Sequence, residues 1–273
     1  MCGIVGYVGT KNIPGRAHFA LDVVLEGLRR LEYRGYDSAG IAVLDEGKIS
    51  FRKKAGKVAA LDEVIAADPL PQAVVGIGHT RWATHGGPTD ANAHPHVVDG
   101  GKLAVVHNGI IENFAELKTE LTDKGYTFES ETDTEVAATL LSDFMHGAGG
   151  GDLTEAMRLT CNRLEGAFTL LALHTDFPDR IVAARRNSPL VIGLGEGENF
   201  LGSDVAAFIG HTRHALEMGQ DQIVTIRKDS VEVTDFDGNP VEPRQFEVAW
   251  DASAAEKGGW SSFMAKEISE EPE

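Results

Sequence analysis

Short apolar runs alternate with polar, glycine-punctuated breaks along the chain, and the period within each run sets the element it predicts. Residues 3–8 are continuously apolar or glycine, which predicts a buried strand. The glycines at 3, 6 and 9 mark places where the backbone bends or is closely approached. After a polar loop over 10–15, Leu21, Val24, Leu25, Leu28 and Leu31 recur at helical spacing and predict a helix over 17–31. Residues 32–40 read as a loop rich in polar and aromatic groups. Two strands follow at 41–44 and 49–53, joined by a Glu46-Gly47 turn, and then a short helix at 58–67 stopped by Pro69.

Further along, a strand at 74–78 feeds a loop over 79–92, and a strand at 103–107 ends at Asn108-Gly109. Helices are predicted at 112–124, 132–145 and 153–164. Thr132, Asp133 and Glu135 place a cap and two acids at the start of the second, where the helix dipole favours them. From Gly166 the pattern changes to strands, at 167–173, 180–184, 190–194, 223–227 and 230–235, with a tight turn at Asp237-Gly238. Residues 260–273 begin amphipathic and end acidic, as a chain does at a linker. Strands in two groups, with helices between and around them, predict an α+β fold. Two mostly antiparallel sheets pack face to face with helices outside, and the strand that follows Cys2 lies near the centre.

Composition narrows the function. The 273 residues suffice for one large domain or two small ones. A net charge of −17 repels phosphate backbones and anionic bilayers, so neither nucleic acid nor a membrane is an expected partner. Two cysteines, Cys2 and Cys161, are too few for a disulfide framework and fit a reducing compartment. No apolar run approaches the length of a membrane span, and the N-terminus lacks the charged and apolar regions of a secretory signal, so a cytoplasmic location is expected. The Gly-x-x-Gly-x-x-Gly spacing at the start is not a dinucleotide fingerprint and no phosphate-binding loop motif occurs, so no cofactor is assigned. Cys161 falls at an apolar helix position and reads as packing.

Cys2 has two readings. It is a small apolar filler beside a strand. Alternatively, once Met1 is removed, it is a residue carrying both a thiol nucleophile and an α-amine that titrates near neutrality and can serve as its base. Three segments hold most of the other unusual residues: 79–96, 107–109 and 131–135. Singly, each has a structural explanation. Arg81 suits a surface ion pair, Asn108-Gly109 a hairpin turn, Asp133 a helix cap, and the five histidines between 79 and 107 the core. Together they supply what an α-amino-acid amide requires. Arg81 can hold a carboxylate through two parallel bonds. Asp133 can hold an ammonium, and Asn108 with the Gly109 N–H can form an oxyanion hole for attack by Cys2.

The chain resembles the class II, N-terminal-nucleophile glutamine amidotransferases. The resemblance rests on Cys2-Gly3-Ile4-Val5-Gly6, LEYRGYDSAG from Leu31, HTRWATHG from His79, NAHPH from Asn92, VVHNGIIEN from Val105 and SETDTE from Ser130, and it spans nearly the whole chain. LEYRGYDSAG favours the members that pass ammonia to fructose 6-phosphate over the purine-pathway amidophosphoribosyltransferases. The resemblance implies a four-layer αββα sandwich and glutamine hydrolysis with Cys2 as nucleophile. It implies an oxyanion hole at Asn108 and Gly109, and a substrate site of Arg81 for the α-carboxylate and Asp133 for the α-amine. Trp82, Thr84 and His85 would lie in a loop over glutamine, with His94 nearby. It further implies an amidotransferase domain over 1–250 and a linker over 251–273, where Glu270-Glu271-Pro272 replaces the family's usual Glu-Gln-Pro. That linker would lead toward a sugar-phosphate isomerase domain that this chain lacks, in an enzyme that is a homodimer. Two other readings stay open. One is a metal-dependent hydrolase using His94 and His96, with Asp99, His79, His85 and His107 near in sequence. The other is a non-catalytic amino-acid-binding module.

Overall fold

A computed structural model describes residues 2–10 and 19–249. The chain runs β1 (Gly3–Val8), α1 (Ala20–Leu31), β2 (Ser38–Asp45), β3 (Lys48–Ala55), α2 (Val58–Ala67), β4 (Val75–Arg81), β5 (His96–Val98) and β6 (Leu103–Ile111). It continues through α3 (Phe114–Asp123), α4 (Asp133–His146), α5 (Leu153–Arg163), β7 (Gly166–His174), β8 (Arg180–Arg186) and β9 (Val191–Leu194). The last elements are β10 (Asn199–Gly202), β11 (His214–Glu217), β12 (Gln222–Arg227), β13 (Ser230–Asp235) and β14 (Arg244–Glu247).

These strands form two sheets, one of eight in the order β14-β11-β9-β10-β1-β4-β2-β3 and one of six in the order β13-β12-β8-β7-β6-β5. Their ladders are antiparallel. Three apolar layers explain why they stack. Ile4, Ile77, Val106, Leu171 and Leu201 fill the space between the sheets. Val24, Leu28 and Leu31 of α1 and Leu61 of α2 cover the outer face of the eight-stranded sheet. Leu121, Leu140, Leu141 and Met157 of α3 to α5 cover the outer face of the six-stranded one. Each fully buried Leu or Ile contributes about 1.5–3 kcal/mol relative to exposure. The result is the four-layer αββα sandwich, with β1 fifth of eight in its sheet. Cys161 is fully buried in the α5 layer, and burial pushes its thiol far above the usual range.

Several boundaries differ from the periodicity. β2 begins at Ser38, three residues before its apolar run, because Ser38 and Ala39 pair with Arg81 and Thr80 of β4. The turn at Glu46-Gly47 is a two-residue hairpin with both residues at positive φ, 49° and 73°, as type I′ geometry requires. β4 runs on through His79, Thr80 and Arg81, so these residues lie on a strand rather than in a loop. Asn108-Gly109, a strong turn signal, lies inside the nine-residue β6. β5, β10, β11 and β14 were not foreseen, each being three or four residues long and too short to show a period. Met1, most of the expected loop at 10–15, the first turn expected at 17–18 and the linker at 251–273 lie outside the described residues.

Candidate active site

The site forms where strand ends of both sheets meet. β1 and β4 are antiparallel neighbours with Gly3 opposite Thr80, so Cys2 at the start of β1 and Arg81 at the end of β4 fall at the same sheet edge. The Trp82 N–H donates to Cys2 Sγ at 3.1 Å, and Sγ lies 3.6 Å from the Trp82 carbonyl oxygen. Burial raises the Cys2 thiol above its ordinary pKa, against the opposing effect of the Trp82 N–H, so at neutral pH the group is a thiol rather than a thiolate. Asp37 fixes this strand end from the side. Its carboxylate accepts the Ala83 N–H, and its own N–H donates to the Arg81 carbonyl at 3.1 Å.

The second sheet brings Asn108 and Gly109 on β6. The Asn108 Nδ2 donates to the Cys2 carbonyl at 2.9 Å, and its Oδ1 lies 3.0 Å from His79 Nε2. Gly109 has φ +124°, and a Cβ there would stand 2.0 Å from the Ala167 carbonyl of β7. Only glycine permits this backbone, which explains an Asn-Gly pair inside a strand. The third part is the start of α4. Thr132 caps it by accepting the Glu135 N–H, and the Glu135 carboxylate reaches back to the N–H groups of Glu129 and Ser130 at 2.9 and 2.7 Å, a variant of the capping box. Asp133, the first helical residue, accepts the Ile111 N–H at 2.9 Å, which ties α4 to the end of β6.

Arg81 and Asp133 have complementary needs. Arg81 is 4% exposed, and its guanidinium donates to loop carbonyls of His85, Gly86 and Gly87. Asp133 is 3% exposed, with one oxygen on an amide and the other 4.0 Å from His107. Burial pushes the His107 ring pKa down, which leaves that ring neutral. A buried cation and a buried anion, neither matched by an opposite charge among the described residues, face one cleft that also contains Cys2, Trp82, Thr84 and Gly109. Charges buried in this way favour a ligand that brings the missing partners. The cleft has about 10 Å³ free, room for no more than about one water, so the carbonyls now on Arg81 must give way to any larger guest. A second cavity of about 300 Å³, also lined by Cys2, lies against Asn108, Ile110 and Pro189.

The remaining expected residues fall out as follows. Trp82 is half exposed at the mouth, its ring edge-on to Tyr36 at 5.6 Å. Thr84 lines both cavities. His85 turns its ring to Phe114 at 5.0 Å and meets Arg81 through its carbonyl. His94 is buried against His79 at 4.1 Å between ring centroids, and its Nδ1 accepts the His107 N–H at 3.4 Å. The imidazoles that suggested a metal are taken up separately: His96 by Thr132, His107 by Thr134, His79 by Asn108. Asp99 pairs with His146 instead. Among the described residues no three ligating side chains converge. Sequence reasoning missed Asp37, Asn92, Thr134 and the role of His79, because each acts through a partner distant in sequence that spacing does not reveal. Asn92, for example, bonds Gly87 O at 3.1 Å and both the N–H and the carboxylate of Glu131.

A family described as the glutamine amidotransferase domain matches residues 79–210, the stretch from the start of the Arg81 motif through Asp133 and into the second sheet group. Over that stretch the chain is similar to the glutamine amidotransferases. It is 70% identical over its whole length to the glutamine–fructose-6-phosphate aminotransferase (isomerizing) of Corynebacterium diphtheriae, of which it covers 44%. It is 63% identical to the enzyme of that name from Streptomyces coelicolor, covering 43%, and 52% to that of Mycobacterium tuberculosis, covering 44%. The chain thus spans less than half the length of these curated relatives. Among solved structures, the glutamine phosphoribosylpyrophosphate amidotransferase of B. subtilis matches with a TM-score of 0.71 and 25% identity, over 88% of this chain and 50% of that one. Among the described residues no helix is long and apolar enough to cross a membrane.

Proposed function

We propose that the chain hydrolyses the side-chain amide of L-glutamine. The observation that carries the reading is the pair of buried, charge-unmatched groups Arg81 and Asp133 beside the Cys2 thiol. A guanidinium and a carboxylate on one cleft fit the α-carboxylate and α-ammonium of a free amino acid, and the thiol stands where its side chain would lie. In this mechanism Sγ bonds to the amide carbon while the Cys2 α-amine, freed by removal of Met1, takes the thiol proton. The raised thiol pKa makes such a base necessary. Asn108 Nδ2 and the Gly109 N–H stabilise the oxyanion. The carbon–nitrogen bond then breaks, the ammonium formed on Cys2 protonates the leaving nitrogen, and water cleaves the γ-glutamyl thioester to glutamate and a regenerated thiol. Trp82, Thr84 and His85 cover the substrate, with His94 behind them.

On the same reading, residues 1–250 are the amidotransferase domain and 251–273 lead into a sugar-phosphate isomerase part. There the ammonia would convert fructose 6-phosphate to glucosamine 6-phosphate, within a cytoplasmic homodimer. The names of the relatives support fructose 6-phosphate as the acceptor. The test is ammonia release from glutamine by the full-length protein and by Cys2→Ala, together with trapping of Cys2 by a diazoketone analogue of glutamine. The reading expects release that Cys2→Ala abolishes. Release unchanged in Cys2→Ala would overturn it, and saturable binding of glutamine without turnover would favour a binding module.

A further inference from the structure

We propose that His79 is a positioning residue that sets which end of the Asn108 amide faces the reacting carbon. This deepens the proposed glutaminase reading and rests on it. The argument is one of donor and acceptor logic. The Cys2 carbonyl can only accept, so the Asn108 atom 2.9 Å from it must be the Nδ2 donor. The other amide atom, Oδ1, therefore points to His79 Nε2 at 3.0 Å, and since Oδ1 can only accept, His79 must carry its proton on Nε2. His79 is fully buried, and burial lowers its ring pKa to about 3, so it stays neutral at working pH. Its Nδ1 is buried without a partner, as that tautomer leaves it. The ring packs against His94 at 4.1 Å between centroids, and the pairing of Ile4 with His79 in the β1–β4 ladder fixes its backbone.

The consequence concerns the transition state. Asn108 contributes to an oxyanion hole only if Nδ2, not Oδ1, lies on the Cys2 side. An amide turned by half a rotation would put a carbonyl oxygen against the developing negative charge. Nothing else among the described residues bonds Oδ1. The Nε2–H of His79 therefore selects the productive rotamer jointly with the Cys2 carbonyl, which accepts from Nδ2, and it does so from behind, with no contact to glutamine.

The test compares His79→Leu, which fills the space without a donor, with His79→Gln, whose side-chain NH₂ can replace Nε2–H, in the full-length protein. Folding is checked by thermal denaturation and glutamine binding by KM. In His79→Leu, kcat should fall about ten- to a hundred-fold, below the cost of deleting an oxyanion donor outright, while KM stays within about three-fold. His79→Gln should recover most of that rate. A His79→Leu protein at full kcat, a loss expressed in KM alone, or equal losses in both variants would each overturn the role of His79. A wild type with no glutaminase activity would overturn the functional reading instead.

Discussion

The backbone N–H of Trp82 donates to the sulfur of Cys2 across 3.1 Å, so the proposed nucleophile is held by a strand end and not by a mobile side chain. Burial nevertheless outweighs that bond and keeps the thiol pKa raised. Alkylation of Cys2 by iodoacetamide should therefore rise with pH along a curve displaced above that of an ordinary cysteine, whose pKa is about 8.5. The experiment is clean because Cys161 is fully buried. A profile at or below the ordinary value would show that the thiolate forms without help from a base.

The proposed base is the Cys2 α-amine. A preparation that keeps Met1 has an amide at that nitrogen and should release ammonia from glutamine at less than about one hundredth of the processed rate, the scale of a lost general base. Intact mass read beside the assay checks this, and full activity with Met1 attached would remove the amine from the mechanism.

Arg81 spreads its bonds over three carbonyls of the loop at 85–87, a geometry that a planar fork satisfies and a lysine ammonium does not. Arg81→Lys should raise the KM for glutamine about ten- to a hundred-fold, equivalent to about 1.5–3 kcal/mol of charge-assisted bonding, with a smaller change in kcat. Asp133→Asn should act in the same direction while preserving the bond from Ile111, since the amide oxygen still accepts. If KM is unmoved in both, the two charges do not hold the substrate.

The sandwich and its order were legible because the layers are broad. Ile4, Val106 and Leu171 sit in continuous apolar runs that announce buried strands, and α1 carries a full apolar stripe. The site was legible in its types, since Cys2, Arg81, Asn108, Gly109 and Asp133 have few joint uses. What spacing hid was connection. Thr80 and Arg81 belong to β4 because β1 and β2 pair with them, a long-range fact. His79 reads as one histidine among five until Asn108 is placed against it. The edge strand β14 pairs with β11 while carrying only one half-buried residue, Phe246, so no apolar pattern announces it.

Gly109 tests how far β6 depends on one backbone shape. Its φ of +124° is open to glycine and strained for other residues, and any Cβ meets the Ala167 carbonyl at 2.0 Å. Gly109→Ala must shift β6 or β7, at a cost of about 2–4 kcal/mol. Urea denaturation should show that loss, and activity should fall further than stability because the Gly109 N–H moves with the strand. A variant of wild-type stability would mean that β6 adopts another path there.

Four buried imidazoles make the fold sensitive to acid. His79, His94, His96 and His107 all have ring pKa values lowered chiefly by burial, His79 to about 3. In the unfolded chain each would titrate near 6.5. Below that pH the unfolded state binds protons that the folded state refuses, so folding stability is intact above pH 6.5 and declines as pH falls toward the folded values. Each such histidine adds a slope of up to about 1.4 kcal/mol per pH unit, so four acting together remove up to about 11 kcal/mol over about two units, comparable with the whole stability of about 5–15 kcal/mol of a marginally stable domain. The urea midpoint should therefore fall steeply between about pH 6 and pH 4. His96→Gln, which keeps an amide partner for Thr132 at 2.9 Å, should flatten that slope by about one histidine's share. A midpoint constant across this range would mean that the imidazoles protonate without unfolding the domain.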